Sequence, residues 1–328
     1  MIIGGGIAGI SAALALADLG HAVEIVEKEA SLGGQAGHLA ITFPGGAPGS
    51  GVVSSLVEKL SGNGGIKVDR GARLSSLSRL DGRFEAELDI GGTVSADAVV
   101  LATGLEPISP SAYPELGYGV HKGVVTSWEL ESMMDDGPVS KADGSPAKRV
   151  VFVQCVGSRA ERKGVPYCTG ACCPNAIKEA LALKERDPAA EAYVLYIDIR
   201  TSGKGQEAMY RRARKAGVRF IRGQPSMVVE KDGGLVVCGE NTLLRELYEI
   251  PADLVVLAVG SRQSPENLLL LDMLGVRQGA SGFPEHFQTS DGVFLAGSAE
   301  GPMDIPTTVA SARSGALAVH SYLTARSA

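Results

Sequence analysis

The chain has 328 residues, of which 45 % are hydrophobic and 21 % charged, and its formal net charge is −6. That length suggests about two domains, and an acidic balance with no Lys/Arg cluster excludes nucleic acid and an anionic membrane surface as expected partners. The five cysteines are an odd number, so no disulfide framework is expected and the setting is read as reducing and cytoplasmic.

The run 1-MIIGGGIAGISAALALADLG-20 carries no charge before Asp18. It has no positive n-region and its glycines sit at functional spacing, so it is not read as a leader. No other stretch approaches the ~18–20 apolar residues of a span, and no membrane insertion is expected. Met1-Ile2-Ile3 reads as a short strand, Gly4-Gly5-Gly6-Ile7-Ala8-Gly9 as G-x-G-x-x-G, SAALALADLG as a helix stopped by Gly20, and HAVEIVE as a second strand ending on Glu27. Gly4 serves the tight turn, Gly6 the approach of a pyrophosphate, and Gly9 close packing of helix on strand. The helix N-terminus offers free N–H groups to phosphate. Glu27 stands 18 residues after Gly9, where a carboxylate accepts ribose hydroxyls.

Three later segments direct this cradle toward FAD. Residues 28-KEASLGGQAGHL-39, with Lys28, the Gly33-Gly34 pair and Gln35, resemble the loop that passes along FAD in two-dinucleotide-domain flavoproteins. The strand 99-VVLATG-104 ends in Ala102-Thr103-Gly104, the exit signature of those proteins. Residues 292-GVFLAGSAEGPMDIPTTVASARSGALAV-319 read as strand, glycine turn (Gly297-Ser298) and helix, and resemble the segment that closes a flavin site, with Ile305, Pro306 and Thr307 at the helix N-terminus. Where those proteins carry Asp, this chain has Ser298, whose hydroxyl can still hydrogen-bond a ribityl group.

Between these segments the expected order is strand 149–154, helix 174–186, strand 192–200, helix 205–217, strand 218–223, a hairpin around Asp232-Gly233-Gly234, and strand 254–260. This is a Rossmann-like half without its glycines: Gln154-Cys155-Val156-Gly157-Ser158-Arg159 replaces the phosphate fingerprint. NAD(P)H binding is therefore not expected, although Gly157 and Arg159 could still hold it weakly. Cys155, Cys168, Cys172 and Cys173 fall within this stretch as C-x12-C-x3-C-C-P. Cys172 and Cys173 precede Pro174, a favoured first helical residue, and the helix dipole is expected to favour thiolate there. Four thiolates suit a cubane iron–sulfur cluster. Zinc, a redox dithiol and inert buried thiols are the alternatives. Cys238 is read as a small core residue, Lys204 as an exposed turn residue, His38 and His121 as carrying no ligand spacing, and 211-RRARK-215 as a solvated helix face.

The blocks GGGIAGI…VEKEASLGG, VVFVQCVGSR…YCTGACCPNAIKEALALKE, YIDIRTSGKG…MYRRARKAGVRFIRG and GVFLAGSAEGPMDIPTTVASA together resemble the A-type subunit family of heterodisulfide reductases, over nearly the whole chain. The resemblance implies an α/β fold with two Rossmann-like dinucleotide-binding domains, as in thioredoxin reductase. The FAD-binding domain would be discontinuous, 1–106 and 262–328, and an inserted NAD(P)-domain-like module, 107–261, would carry the cysteines. It also implies FAD, a [4Fe-4S] cluster on Cys155, Cys168, Cys172 and Cys173, partner subunits in a heterodisulfide-reductase-like complex, and a homodimer. The chain departs from the methanogen form in lacking C-x2-C-x2-C-x3-C runs, so the resemblance is to a minimal version. Two rival functions stand beside it. One is a stand-alone NAD(P)H-dependent disulfide reductase using Cys168, Cys172 and Cys173; the other is a non-enzymatic FAD-binding scaffold.

Overall fold

The computed structural model describes residues 1–44, 46–285, 288–290 and 292–327. Its α-helices are α1 (Ile7–Asp18), α2 (Gly49–Ser61), α3 (Ser127–Asp136), α4 (Cys172–Arg186), α5 (Gln206–Lys215), α6 (Pro265–Met273) and α7 (Ile305–Ser327). The chain divides into two compact units: Met1–His38, Pro48–Glu106 and Gln263–Ala328 form the first, and Leu39–Ala47 with Pro107–Arg262 form the second.

The first unit is built on a six-stranded sheet. Its order is Gln288–Ser290, Val293–Leu295, Val99–Leu101, Ile2–Ile3, Val23–Glu27 and Ile66–Arg70. All neighbours are parallel except the first pair. The central strands are apolar throughout because both faces are covered. Side chains alternate between the faces. Ile2, Ile25, Val100 and Phe294 meet α1 and α7 through Ile10, Ala12, Ala312 and Ala316. Ile3, Val99, Leu101, Val293 and Leu295 meet Leu270 and Leu271 of α6 and Phe84. Phe84 belongs to a three-stranded antiparallel meander, Leu74–Leu80, Arg83–Leu88 and Thr93–Ala96, which the sequence pattern does not announce.

The second unit carries a five-stranded parallel sheet in the order Arg219–Arg222, Glu191–Tyr196, Arg149–Val156, Leu254–Val259, Val124–Thr126. One face packs Val150, Phe152 and Val256 against Leu130 of α3, Ala176, Ile177 and Ala180 of α4, and Met209 and Ala213 of α5. The other packs Val151, Val153, Val255 and Leu257 against Val228, Val237 and Ile250. Those three lie on successive strands of a second meander, Pro225–Lys231, Gly234–Asn241 and Glu246–Ala252, so the expected hairpin gains a third strand.

The sequence-derived boundaries place Leu39–Ala47 in the first segment, whereas it clusters with the second unit. A buried ion pair fixes it there. Lys178 Nζ donates to Glu131 Oε1 and to Ile41 O, each at 2.6 Å. Ala40 N donates to Glu131 Oε2 at 2.8 Å. Among the described residues no helix is long and apolar enough to cross a membrane.

Candidate functional site

In an open parallel sheet, ligands sit outside the carboxyl ends of the strands where the chain order reverses. The first unit has that point between Ile2–Ile3 and Val99–Leu101, and the glycine motif lies there. Gly4 has φ +105, and a Cβ on it would stand 2.6 Å from Ala102 O. A Cβ on Gly9 would fall 1.8 Å from Gly4 O, so α1 rests directly on the turn. Gly34 packs closely on Gly6: a Cβ on Gly34 would come within 3.3 Å of Gly6 Cα, and Gly33 N donates to Gly5 O at 2.8 Å. Gly6 also caps α1 with no side-chain hydrogen bond, so the first-turn N–H groups of α1, those of Ile7, Ala8 and Gly9, have no intrahelical acceptor.

Glu27 closes the second strand. Its Oε2 accepts from Gly5 N at 2.5 Å and its Oε1 from Glu29 N at 2.8 Å. Each oxygen keeps lone-pair capacity for a further donor. Gln35 donates to Leu105 O. Thr103 Oγ1 is buried with no hydrogen-bond partner, and Gly104 O accepts from Asn267 Nδ2 at 2.7 Å. Gly297 lies against α1, where a Cβ on it would meet Ala8 Cβ at 2.5 Å. A brace with no signature in the sequence holds this turn. Gly297 N donates to Ser311 Oγ at 2.8 Å, and Ser311 Oγ donates to Glu300, whose carboxyl is pushed up by burial. Ser298 is half-buried and Ile305 opens α7.

Two candidates are already engaged elsewhere. Lys28 is paired with Glu266 at 2.8 Å on the surface. Thr307 N donates to Asp304 Oδ1 at 2.9 Å, so that N–H is spent on capping α7, and Pro306 has none to give.

The second unit reverses its order between Arg149–Val156 and Leu254–Val259. There Cys155, Cys168, Cys172 and Cys173 line one pocket with Ser158, Arg159, Thr169, Gly170, Asp198 and Arg200. The cavity they enclose is about 10 Å³, room for about one water molecule. Cys155, next to last in its strand, has a left-handed conformation, φ +62. Gly170 N donates to Cys168 Sγ at 3.4 Å, Cys172 Sγ donates to Val259 O at 3.5 Å, and Cys173 Sγ to Asp198 O at 3.6 Å. All five cysteines are free.

The helix begins at Cys172, two residues before Pro174, and Ala171 gives it no side-chain cap. The expected thiolate does not follow. Burial pushes the thiols of Cys155 and Cys172 up to about 11 and about 12 and raises that of Cys173, each thiol also being raised by its neighbours in the cluster. Desolvation, which favours the neutral form, outweighs the dipole of one helix end. Cys238 is half-buried on the meander rather than in the core. Lys204 and His38 are exposed.

The loop after Cys155 satisfies its own backbone. Arg159 N donates to Tyr167 O at 3.0 Å, Ala160 N to Val165 O at 2.9 Å, Gly164 N to Ala160 O at 3.0 Å, and Val165 N to Gly157 O at 2.8 Å. Where a phosphate loop would present N–H groups to a ligand, these are consumed internally.

Comparison with known proteins agrees with the fold. Residues 1–153 match the family model described as Pyridine nucleotide-disulphide oxidoreductase. Among solved structures, the thioredoxin reductases of T. acidophilum and Lactococcus lactis superpose with TM-scores of 0.68 and 0.69 at 21 % and 20 % identity. They cover 98 % of this chain, and 96 % and 98 % of their own. Fold, glycine motif and family match define an FAD-dependent oxidoreductase with two Rossmann-like domains. Within that class the chain belongs to the family of A-type heterodisulfide reductase subunits. It is 33 % identical to the A-type iron-sulfur subunit of the CoB--CoM heterodisulfide reductase of Methanocaldococcus jannaschii over 97 % of this chain. It is 35 % identical to the A-type subunit of the Ferredoxin:CoB-CoM heterodisulfide reductase of Methanosarcina acetivorans over 73 % of this chain. The chain spans 63 % of the length of the first relative and 34 % of the second.

Proposed function

We propose that this chain is the electron-transfer subunit of a heterodisulfide-reductase-like complex in a reducing compartment. It carries FAD in the first unit and a [4Fe-4S] cluster in the second, and relays electrons to or from partner subunits that handle a disulfide or another sulfur compound. The observation that carries this reading is the gathering of Cys155, Cys168, Cys172 and Cys173 around one pocket at the switch point of the second sheet. Four cysteines are what a cubane requires. Among the described residues no group of three or more His, Cys, Asp or Glu is already placed to hold a single metal ion; a cubane would offer a separate iron to each thiolate.

When bound, FAD couples one- and two-electron transfer and the cluster supplies single-electron transfer. The chain's own residues bind and orient. Gly4, Gly6, Ile7, Ala8 and Gly9 receive the pyrophosphate, with α1 presenting N–H groups, and Glu27 takes the ribose. The second glycine strip, Gly33-Gly34 with Gln35, would run alongside the cofactor next to Gly5 and Gly6. Ala102, Thr103, Gly104, Gly297, Ser298 and Ile305 frame the flavin end, where Thr103 Oγ1 is a free buried hydroxyl. Lys28, Pro306 and Thr307 play at most a peripheral part. The four thiols lose their protons on ligation, because the ligating form is the thiolate.

A stand-alone NAD(P)H-dependent reductase is disfavoured by the self-satisfied loop at residues 157–167. The test is iron and acid-labile sulfide on protein purified without oxygen, alongside Cys155→Ser and Cys173→Ser. About four iron per chain, lost in the variants while FAD is kept, supports the reading. FAD without iron after anaerobic reconstitution, together with flavin reduction by NADPH, would replace it with the reductase.

A further inference from the structure

Arg159 lines the cysteine pocket and has no part in ligation. Its backbone holds φ +58, a left-handed conformation unfavourable for a residue with a side chain. Its N–H is tied to Tyr167 O, so the loop dictates where the side chain leaves. One end of the guanidinium is committed: Nη2 donates to Asp198 Oδ2 at 2.9 Å. The other nitrogen, Nη1, is buried with no hydrogen-bond partner. A buried donor left unpaired is costly and calls for an explanation.

Asp198 follows the strand Glu191–Tyr196, the place from which an acidic side chain takes a ribose in a dinucleotide site. Here it anchors Arg159 instead, with Arg222 at 4.0 Å on its other oxygen.

We infer that Arg159 is a positioning residue for the iron–sulfur centre on these cysteines: Asp198 aims its guanidinium, Nη1–H is kept for a sulfur of that centre, and its fixed positive charge raises the centre's reduction potential. The inference rests on the cluster reading above. Reduction adds one electron to a body that four thiolates already make anionic. No bond forms or breaks and no proton moves. A fixed cation beside the centre and a hydrogen bond to sulfur both favour the reduced form, since net charge and hydrogen bonds to the sulfurs set such potentials.

The full chain and its Arg159→Gln and Arg159→Lys variants would be reconstituted anaerobically and titrated with dithionite. Electron paramagnetic resonance would follow the reduced centre, with iron, sulfide and FAD measured on the same samples. The expected result is equal iron in all three and a midpoint potential lowered in Arg159→Gln. Arg159→Lys should fall between, because an ammonium keeps the charge but not the rigid fork. A residue that merely held the loop together would change the melting temperature and leave the potential alone. Equal potentials at equal iron content overturn the role of Arg159 and leave the cluster reading standing. Iron lost from Arg159→Gln alone makes it an assembly residue and also overturns the inference. No iron in the unaltered protein sinks the cluster reading and this inference with it.

Discussion

Replacing Lys178 by methionine removes one partner of the buried pair that holds Leu39–Ala47. The Lys178 and Glu131 side chains are 5 % and 2 % exposed, so Glu131 would be left as an enclosed charge with no counter-ion. Breaking such a pair costs about 3–5 kcal/mol. The abandoned Ile41 carbonyl adds about 1–3 kcal/mol if no water reaches it. Ala40 N–H, at 2.8 Å from Glu131 Oε2, offsets part of this. A loss of about 4 kcal/mol is therefore expected, against domain stabilities of about 5–15 kcal/mol. Trp128, the chain's only tryptophan, sits one turn before Glu131 on α3, so its fluorescence in urea reports this unit. Lys178→Met combined with Glu131→Leu removes both charges and should recover part of the loss. A loss below about 1 kcal/mol, the worth of an exposed pair, would refute the reasoning, as would a double variant no more stable than the single one.

Three further outcomes follow from the geometry. Glu179 is fully enclosed, and burial, with Glu131 adding to it, raises its carboxyl well above the usual range despite Lys178. The folded state thus keeps a proton that the unfolded chain releases above the ordinary carboxylate pKa, so stability should fall as pH rises from there toward the folded pKa. Glu179→Gln should flatten that slope, and urea midpoints measured between roughly pH 5 and 8 that show no change of slope would contradict it. Gly9→Ala puts a methyl 1.8 Å from Gly4 O, against unyielding backbone. Destabilisation at or beyond the upper end of the ~1–3 kcal/mol overpacking range, and purification without flavin, are expected; an alanine variant that retains full FAD would show the turn to be adaptable. Glu27→Gln leaves an amide that can accept at only one of its two positions. Weakening of FAD binding by about tenfold or more, read by flavin fluorescence, is expected, and unchanged affinity would remove Glu27 from the ribose site.

The parts of the chain that read clearly are those where backbone proximity dictates residue type. Gly4 and Gly9 stand where any Cβ would strike a carbonyl, and that demand is printed in the sequence as spacing. The face of α4 through Ala176, Ile177, Ala180 and Leu181 also reads directly, all four being buried. The same helix shows the limit. Lys178 and Glu179 look like its solvated side, yet they are 6 % and 0 % exposed, because Glu131 and Ile41, far away in sequence, lie against them. Arg159 and Asp198 are separated by 39 positions, and no local pattern marks them as a pair. The meander through Leu74–Leu80 is hidden for another reason: every residue of that strand is exposed or half-buried, so the alternation that signals a strand is faint. The thiol charge escapes sequence reasoning because helix position is visible there and burial is not.

The path of the chain between its two units has a practical consequence. It passes from one to the other four times, after His38, Ala47, Glu106 and Arg262. No single cut liberates either piece. A fragment covering 107–262 would lack Ala40 and Ile41, and so would expose Glu131 and Lys178 to water without the backbone groups that hold them. Dissecting the protein into separately expressed halves therefore requires grafting residues 39–47 onto the second half and closing the first across the gap.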